Sequence, residues 1–252
     1  RAAGFLDRPD EDAVVGTTLG DWRIVRPIGE GGMGRVYLGE RRGEGYVQRA
    51  AIKLVKRGLD TDRMLARFRR ERHVLAGLDH PGIARLLDGG AAPDGRPWLA
   101  MEFVADGRPI DEHCDAEALA LSARIELFAR ACHAVHAAHR RLVVHRDLKP
   151  GNILVENVDA ANVKVCDFGL SAIAVTPAGG DAPAEVAYGS PGYAAPELPQ
   201  PTHTDKVDVF SFAVILWEVL TRRRPWEDFR HAQQVIAAIA RGERLPLPGT
   251  DA

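Results

Sequence analysis

At 252 residues the chain can hold one large domain or two lobes with separate cores. Its 46% hydrophobic and 27% charged residues are those of an ordinary soluble globular protein. A formal net charge of −2 gives no reason to expect nucleic acid or an anionic membrane as the main partner.

Cys114, Cys132 and Cys166 are an odd number without metal-ligand spacing, which argues against a disulfide framework and for a reducing, cytoplasmic setting. The longest apolar run, 209–220, is broken by Ser211 and Glu218 and is too short to span a bilayer. No signal peptide is visible, and the chain starts at Arg1 rather than Met, so it reads as a piece of something larger. The arginine-rich stretches 67–72 and 222–224 read as solvated helix faces.

Residues 1–20 mix Asp, Pro, Gly and small residues without periodicity and read as a tail. Residues 22–28 and 35–40 are expected as strands joined by a Gly-rich turn, with 46–55 as a third strand. Leu65, Phe68, Leu75 and Leu78 recur at helical spacing and predict a helix over 62–78. Residues 83–88 and 98–103 are expected as strands on either side of Pro93-Asp94-Gly95. The pattern then turns helical. Ser122 is a suitable N-cap for a helix with the inward stripe Ile125, Phe128, Cys132 and Val135. Residues 207–220 are apolar nearly all round and predict a buried central helix. A last amphipathic helix spans 231–241 and closes at Gly242.

Gly29-Glu30-Gly31-Gly32-Met33-Gly34 has the G-x-G-x-x-G spacing. Glycines let backbone N–H groups close over phosphates without side-chain obstruction. A dinucleotide-binding version should open a helix, whereas this loop leads into the strand beginning at Val36. Lys53 ends the third strand on the same face as Ala51. Glu71 lies three residues after Phe68 and four before Leu75, so its carboxylate shares the apolar face of its helix. Buried without a partner it would cost on the order of several kcal/mol. Lys53 is the cation placed to meet it, and the same lysine can hold the α- and β-phosphates of ATP.

Asn152 immediately precedes one short strand and Asp167 immediately follows the next, with a turn-rich 157–162 between them. A hairpin built this way sets the two side chains together at its open end, a donor pair that suits Mg²⁺. Asp147 faces the same space and can accept the proton of a substrate hydroxyl. Lys149 can neutralise charge on the transferred group. His133, His136 and His139 diverge around their helix and make no metal site.

His145-Arg146-Asp147, Asn152, Asp167-Phe168-Gly169 and Ala195-Pro196-Glu197 stand in the order of the eukaryotic-type (Hanks-type) Ser/Thr protein kinases, and the chain resembles that family from about residue 19 onward. The Met-Gly-Arg-Val loop and the Ala/Arg-rich composition look like bacterial members. The resemblance implies an α+β, two-lobed protein-kinase fold. Its small N-lobe, about 21–104, would hold a five-stranded antiparallel sheet with one main helix. Its C-lobe, about 105–252, would be mostly helical. It implies ATP and Mg²⁺ as cofactors, with Mn²⁺ as a substitute, and proteins bearing Ser or Thr as substrates. A dimer for autophosphorylation is a further implied partner. By similarity Ile28, Gly29, Gly31, Gly34, Val36, Ala51 and Leu154 surround the nucleotide, Met101 is the gatekeeper, and Glu102 to Val104 form the hinge. Leu75, Leu86, His145 and Phe168 form a regulatory spine anchored on Asp208, and Ser190 bridges to Asp147 and Lys149.

Three departures stand out. The usual position of the activating phosphate falls on Val186, so Arg146 needs another partner, with Glu185 or Asp181 as fixed charges and Thr176 and Ser171 as the remaining hydroxyls. Ala213 replaces a frequent Gly. The chain stops soon after Gly242, where the family continues with helices that supply an Arg for Glu197. Rival readings are a pseudokinase scaffold, a small-molecule kinase and a dual-specificity kinase.

Overall fold

The computed structural model describes residues 14–31, 34–56, 72, 75–156, 162–168, 190–198 and 204–246. The chain divides into two compact units, Arg1–Asp60 with Leu87–Phe103, and Thr61–Leu86 with Val104–Ala252.

The first unit is built on a six-stranded sheet in the order β1-β2-β3-β4-β6-β5. Its strands are β1 (Thr18–Leu19), β2 (Trp22–Gly31), β3 (Gly34–Gly43), β4 (Tyr46–Val55), β5 (Leu86–Ala91) and β6 (Pro97–Glu102). Alternation sorts each strand into two faces. On β4, Ala50, Ile52 and Leu54 are buried and meet Trp22, Ile24, Tyr37 and Trp98 in one apolar cluster. Trp22 is fully enclosed and donates its indole N–H to Asp88 at 3.1 Å. Ala51 and Lys53, on the opposite face of β4, are half-buried. The β3–β4 hairpin runs in register from Gly34↔Val55 to Gly43↔Tyr46. A Cβ on Gly34 would collide with the carbonyl oxygen of Leu54, so the turn into β3 requires glycine.

The second unit combines a three-stranded sheet, β7 (Arg108–Pro109), β8 (Ile153–Glu156) and β9 (Asn162–Val165), with four helices of fully described bounds. These are α1 (Ile110–Ala116), α2 (Leu121–His139), α3 (Lys206–Thr221) and α4 (Ala232–Ala240). Its core joins Ile110, Leu127, Ala131, Ala134 and Val135 to Leu148, Ile153, Val165, Phe212 and Ile215. Phe128 meets Phe212 edge to face at 5.3 Å.

Several sequence expectations shift. Thr18–Leu19, in the expected tail, adds a strand to the sheet, and Leu19 is buried. The strand expected at 83–88 forms at Leu86–Ala91. Ile83 instead makes a single parallel bridge to Val165. Ser122 is not a cap: α2 begins one residue earlier, Ala120 holds the cap position, and no side chain closes it. The inward stripe of α2 is also rotated from the expected one. Arg124, Leu127, Ala131, Ala134, Val135 and Ala138 are buried, whereas Ile125 is 47% exposed. Arg124 can occupy that stripe because each of its three guanidinium nitrogens finds an acceptor. It donates to the carbonyls of Leu119, Cys114 and Val219 and to the Asp115 carboxylate. Of the helix expected over 62–78, residues 72 and 75–78 are described: 72, 75 and 76 are helical, 77 is a turn, and 78 lies past the helix end.

Candidate functional site

In the second unit the chain leaves α2, crosses a short loop and makes one 3-10 turn, Pro150–Asn152, before entering β8. Leu148, wholly buried, pins the loop to the core. Asn152 is 5% exposed, donates Nδ2 to the carbonyl of Asp147 at 2.7 Å, and accepts the Cys166 N–H on its own carbonyl at 2.9 Å. Ile153 pairs with Val165, so Asn152 and the residues after β9 lie side by side at the open end of the hairpin. Asp167 follows in the left-handed region, φ 63°.

Asp147 accepts the backbone N–H of Ser190 on Oδ1 at 3.1 Å, and its Oδ2 lies 3.5 Å from Nζ of Lys149. Asp147, Lys149, Asn152 and Ser190 thus converge within one unit. His145 is fully buried beneath them. Its Nδ1 accepts the Asp147 N–H at 3.3 Å, and its Nε2–H reaches the Cys166 carbonyl at 2.8 Å. Its ring packs against Phe168 at 4.6 Å. One imidazole therefore joins the loop carrying Asp147 to the segment carrying Asp167.

A carboxylate holds this loop from below. Asp208 of α3 is completely buried and accepts the backbone N–H groups of His145 and Arg146, each at 2.8 Å. It also accepts Nε2–H of His139 at 2.7 Å. Burial pushes its carboxyl up, but the His139 hydrogen bond, the neighbouring His145 imidazole and the two backbone donors outweigh it and leave the pKa lowered. Arg146 needs that support, since its φ of 69° is costly for a side-chain-bearing residue. Its Nε is buried and has no hydrogen-bond partner among the described residues.

The segment 190–193 is tied to α3 and the loop beyond it. Ser211 Oγ donates to the Tyr193 carbonyl at 2.7 Å, and Trp226 Nε1 donates to the Gly192 carbonyl at 3.0 Å. The Tyr193 hydroxyl donates to Glu218 at 2.6 Å. Burial raises the Glu218 carboxyl above its ordinary value, a shift that the Tyr193 hydrogen bond only partly offsets. These ties escaped the sequence reading. Glu218 was the available signal, as a carboxylate inside the apolar run 209–220.

In the first unit the register sets Gly29 opposite Val36, Val36 opposite Lys53, and Ala51 opposite Met101. Directly paired residues share a face. Val36, Ala51, Lys53 and Met101 therefore line one side of the sheet. Ile28 lies in the bulged stretch of β2, Gly31 ends that strand opposite Gly34, and Glu102 closes β6. In the second unit Val104 is buried, and Leu154 pairs with Pro109 and Lys164. Glu71, Gly169, Thr176 and Glu185 lie outside the described residues.

The sequence profile of the protein kinase domain matches residues 22–247, and the chain belongs to that family. Over 236 residues, 90% of this chain, it is 37% identical to the serine/threonine-protein kinase Pkn1 of Myxococcus xanthus. It is 34% identical over 227 residues to pkn3 of the same organism. The chain spans 32% and 41% of the lengths of those curated relatives. Among solved structures, the kinase domain of Mycobacterium tuberculosis PknI aligns with a TM-score of 0.66 at 26% identity, covering 90% of this chain and 86% of that one. The fold is accordingly the α+β protein kinase fold.

Proposed function

We propose that the chain transfers the γ-phosphate of ATP to Ser or Thr hydroxyls of protein substrates. The observation that carries this reading is the meeting of Asp147, Lys149, Asn152 and the 190–193 segment on one buried support. Asp147 takes the proton of the substrate hydroxyl as the oxygen–phosphorus bond forms and the bond to the ADP leaving oxygen breaks. Lys149 neutralises charge on the phosphoryl group in flight. Ser190 and the ties behind it fix the peptide strand that presents the hydroxyl.

The donor set fits a divalent cation. Asn152 spends its amide N–H on the Asp147 carbonyl, which orients Oδ1 outward as a hard oxygen ligand, and Asp167 adds a carboxylate. Asn152 and Asp167 would hold such a cation, and Mg²⁺ bound there would supply charge screening for the phosphates. In the first unit Lys53 serves the phosphates, and Val36, Ala51 and Met101 offer an apolar face for the adenine. Arg146 reads a negative charge supplied by Glu185 in place of a loop phosphate.

The presence of Lys53, Asp147, Asn152 and Asp167 in the sequence favours transfer over a scaffold role. Incubation with labelled ATP, Mg²⁺ and a generic protein substrate, followed by phosphoamino-acid analysis, tests it. Label on phosphoserine or phosphothreonine supports the proposal, and its absence refutes it.

A further inference from the structure

Away from this site, the second unit carries a concavity of about 310 Å³ between the 78–83 loop and the last turn of α2. Leu78, Ile83 and Ala137 supply its apolar walls, and Leu78 and Ile83 are themselves buried. His80, Arg140 and Arg141 supply the basic part of the lining, and Asp79 is its one acid. Arg141 spends a donor on the Gly77 carbonyl, which fixes the loop against the helix. His80 Nδ1 accepts the Gly82 N–H at 3.0 Å, so its Nε2–H remains a donor. Arg140 is exposed and has no ion-pair partner among the described residues.

The next residue along is the unusual one. Leu142 is 93% exposed and sits at φ 60°, in the left-handed region where glycine is favoured. An apolar side chain held in water on a strained backbone contributes nothing to the fold. It follows directly on Arg140 and Arg141, two residues of that lining.

We propose that this surface docks an acidic peptide segment of a partner protein. One aliphatic side chain of the peptide enters the concavity, its carboxylates meet Arg140 and Arg141, and Leu142 covers the anchor from outside. The charge balance of the lining selects an acidic partner, and the apolar walls with Leu142 select a peptide over a bare polyanion. The inference does not rest on phosphoryl transfer, since none of these residues belongs to the set Asp147, Lys149, Asn152 and Asp167.

Fluorescence anisotropy tests it, with short labelled peptides of Asp and Glu surrounding a single Leu. The chain should bind them in a salt-sensitive way. Arg140→Glu and Leu142→Asp should each weaken binding by about tenfold or more, whereas Arg130→Glu, elsewhere on α2, should not. Leu142→Gly separates docking from folding: it should raise the thermal midpoint while weakening the peptide. Absence of binding, or binding unchanged in Arg140→Glu and Leu142→Asp, would overturn the proposal. So would equal displacement of the peptide by an oligonucleotide, which would mean that the arginines only collect polyanions.

Discussion

His139 and Asp208, 69 residues apart in sequence, meet at 2.7 Å in the interior of the second unit. The same carboxylate holds two consecutive backbone N–H groups of the loop bearing Asp147. Replacing Asp208 by Asn would leave one amide nitrogen facing donors it cannot accept. Unfolding in urea should show a loss of about 2 kcal/mol or more. A change under about half that figure would mean the loop holds itself.

Two buried carboxylates pull stability in opposite directions with pH. Asp208 is depressed below its ordinary 3.8, so its contribution is full above that value and is lost as pH falls through the folded pKa. Glu218 is raised above its ordinary 4.5, so its contribution is full below that value and is lost as pH rises through the folded pKa. Glu218→Gln keeps an acceptor for the Tyr193 hydroxyl and removes the ionisation. Its thermal midpoint relative to wild type should climb as pH rises above 4.5 and then level off. A difference that stays flat with pH would contradict the assignment.

Residues whose partners are local could be read from the sequence. Asn152 and Asp167 flank two short strands, and pairing those strands sets the positions of both. Lys53 and Ala51 follow from strict alternation on β4, whose bounds match the expectation. The buried face of α2 could be read only in part: Val135 lies in the core and Phe128 and Cys132 pack against it, but Ile125 faces out. Arg124 lies on it because three carbonyls from other segments accept its donors, and pattern counting assigns a lone arginine to solvent. Alanines 131, 134 and 138 carry little hydrophobic signal, yet they are what lets the helix approach its neighbours. Leu19 joins the sheet through the short pairing of Thr18 with Arg23 and of Leu19 with Trp22.

Leu142 carries a cost that glycine would not. Leu142→Gly relieves the left-handed strain and sacrifices almost no packing, since the side chain is 93% exposed. The expected gain is about 1 kcal/mol. Calorimetry should show the midpoint rising by roughly 2–4 °C for a chain of this size. A fall would mean that Leu142 packs in solution.

Gly34 tolerates no side chain. A Cβ there meets the Leu54 carbonyl and must displace β4, the strand that carries Lys53. Gly34→Ala should destabilise the first unit by about 1–3 kcal/mol and weaken ATP binding in a titration with a fluorescent analogue. Unchanged affinity would separate the loop from the nucleotide.

The central claim is that Asp147 accepts the substrate proton. Asp147→Asn keeps an oxygen for the Ser190 N–H and removes the base. Labelled phosphate transfer to a Ser/Thr protein substrate should fall by about a hundredfold or more, with the thermal midpoint within a degree or so of wild type. Transfer by Asp147→Asn at the wild-type rate would contradict the account.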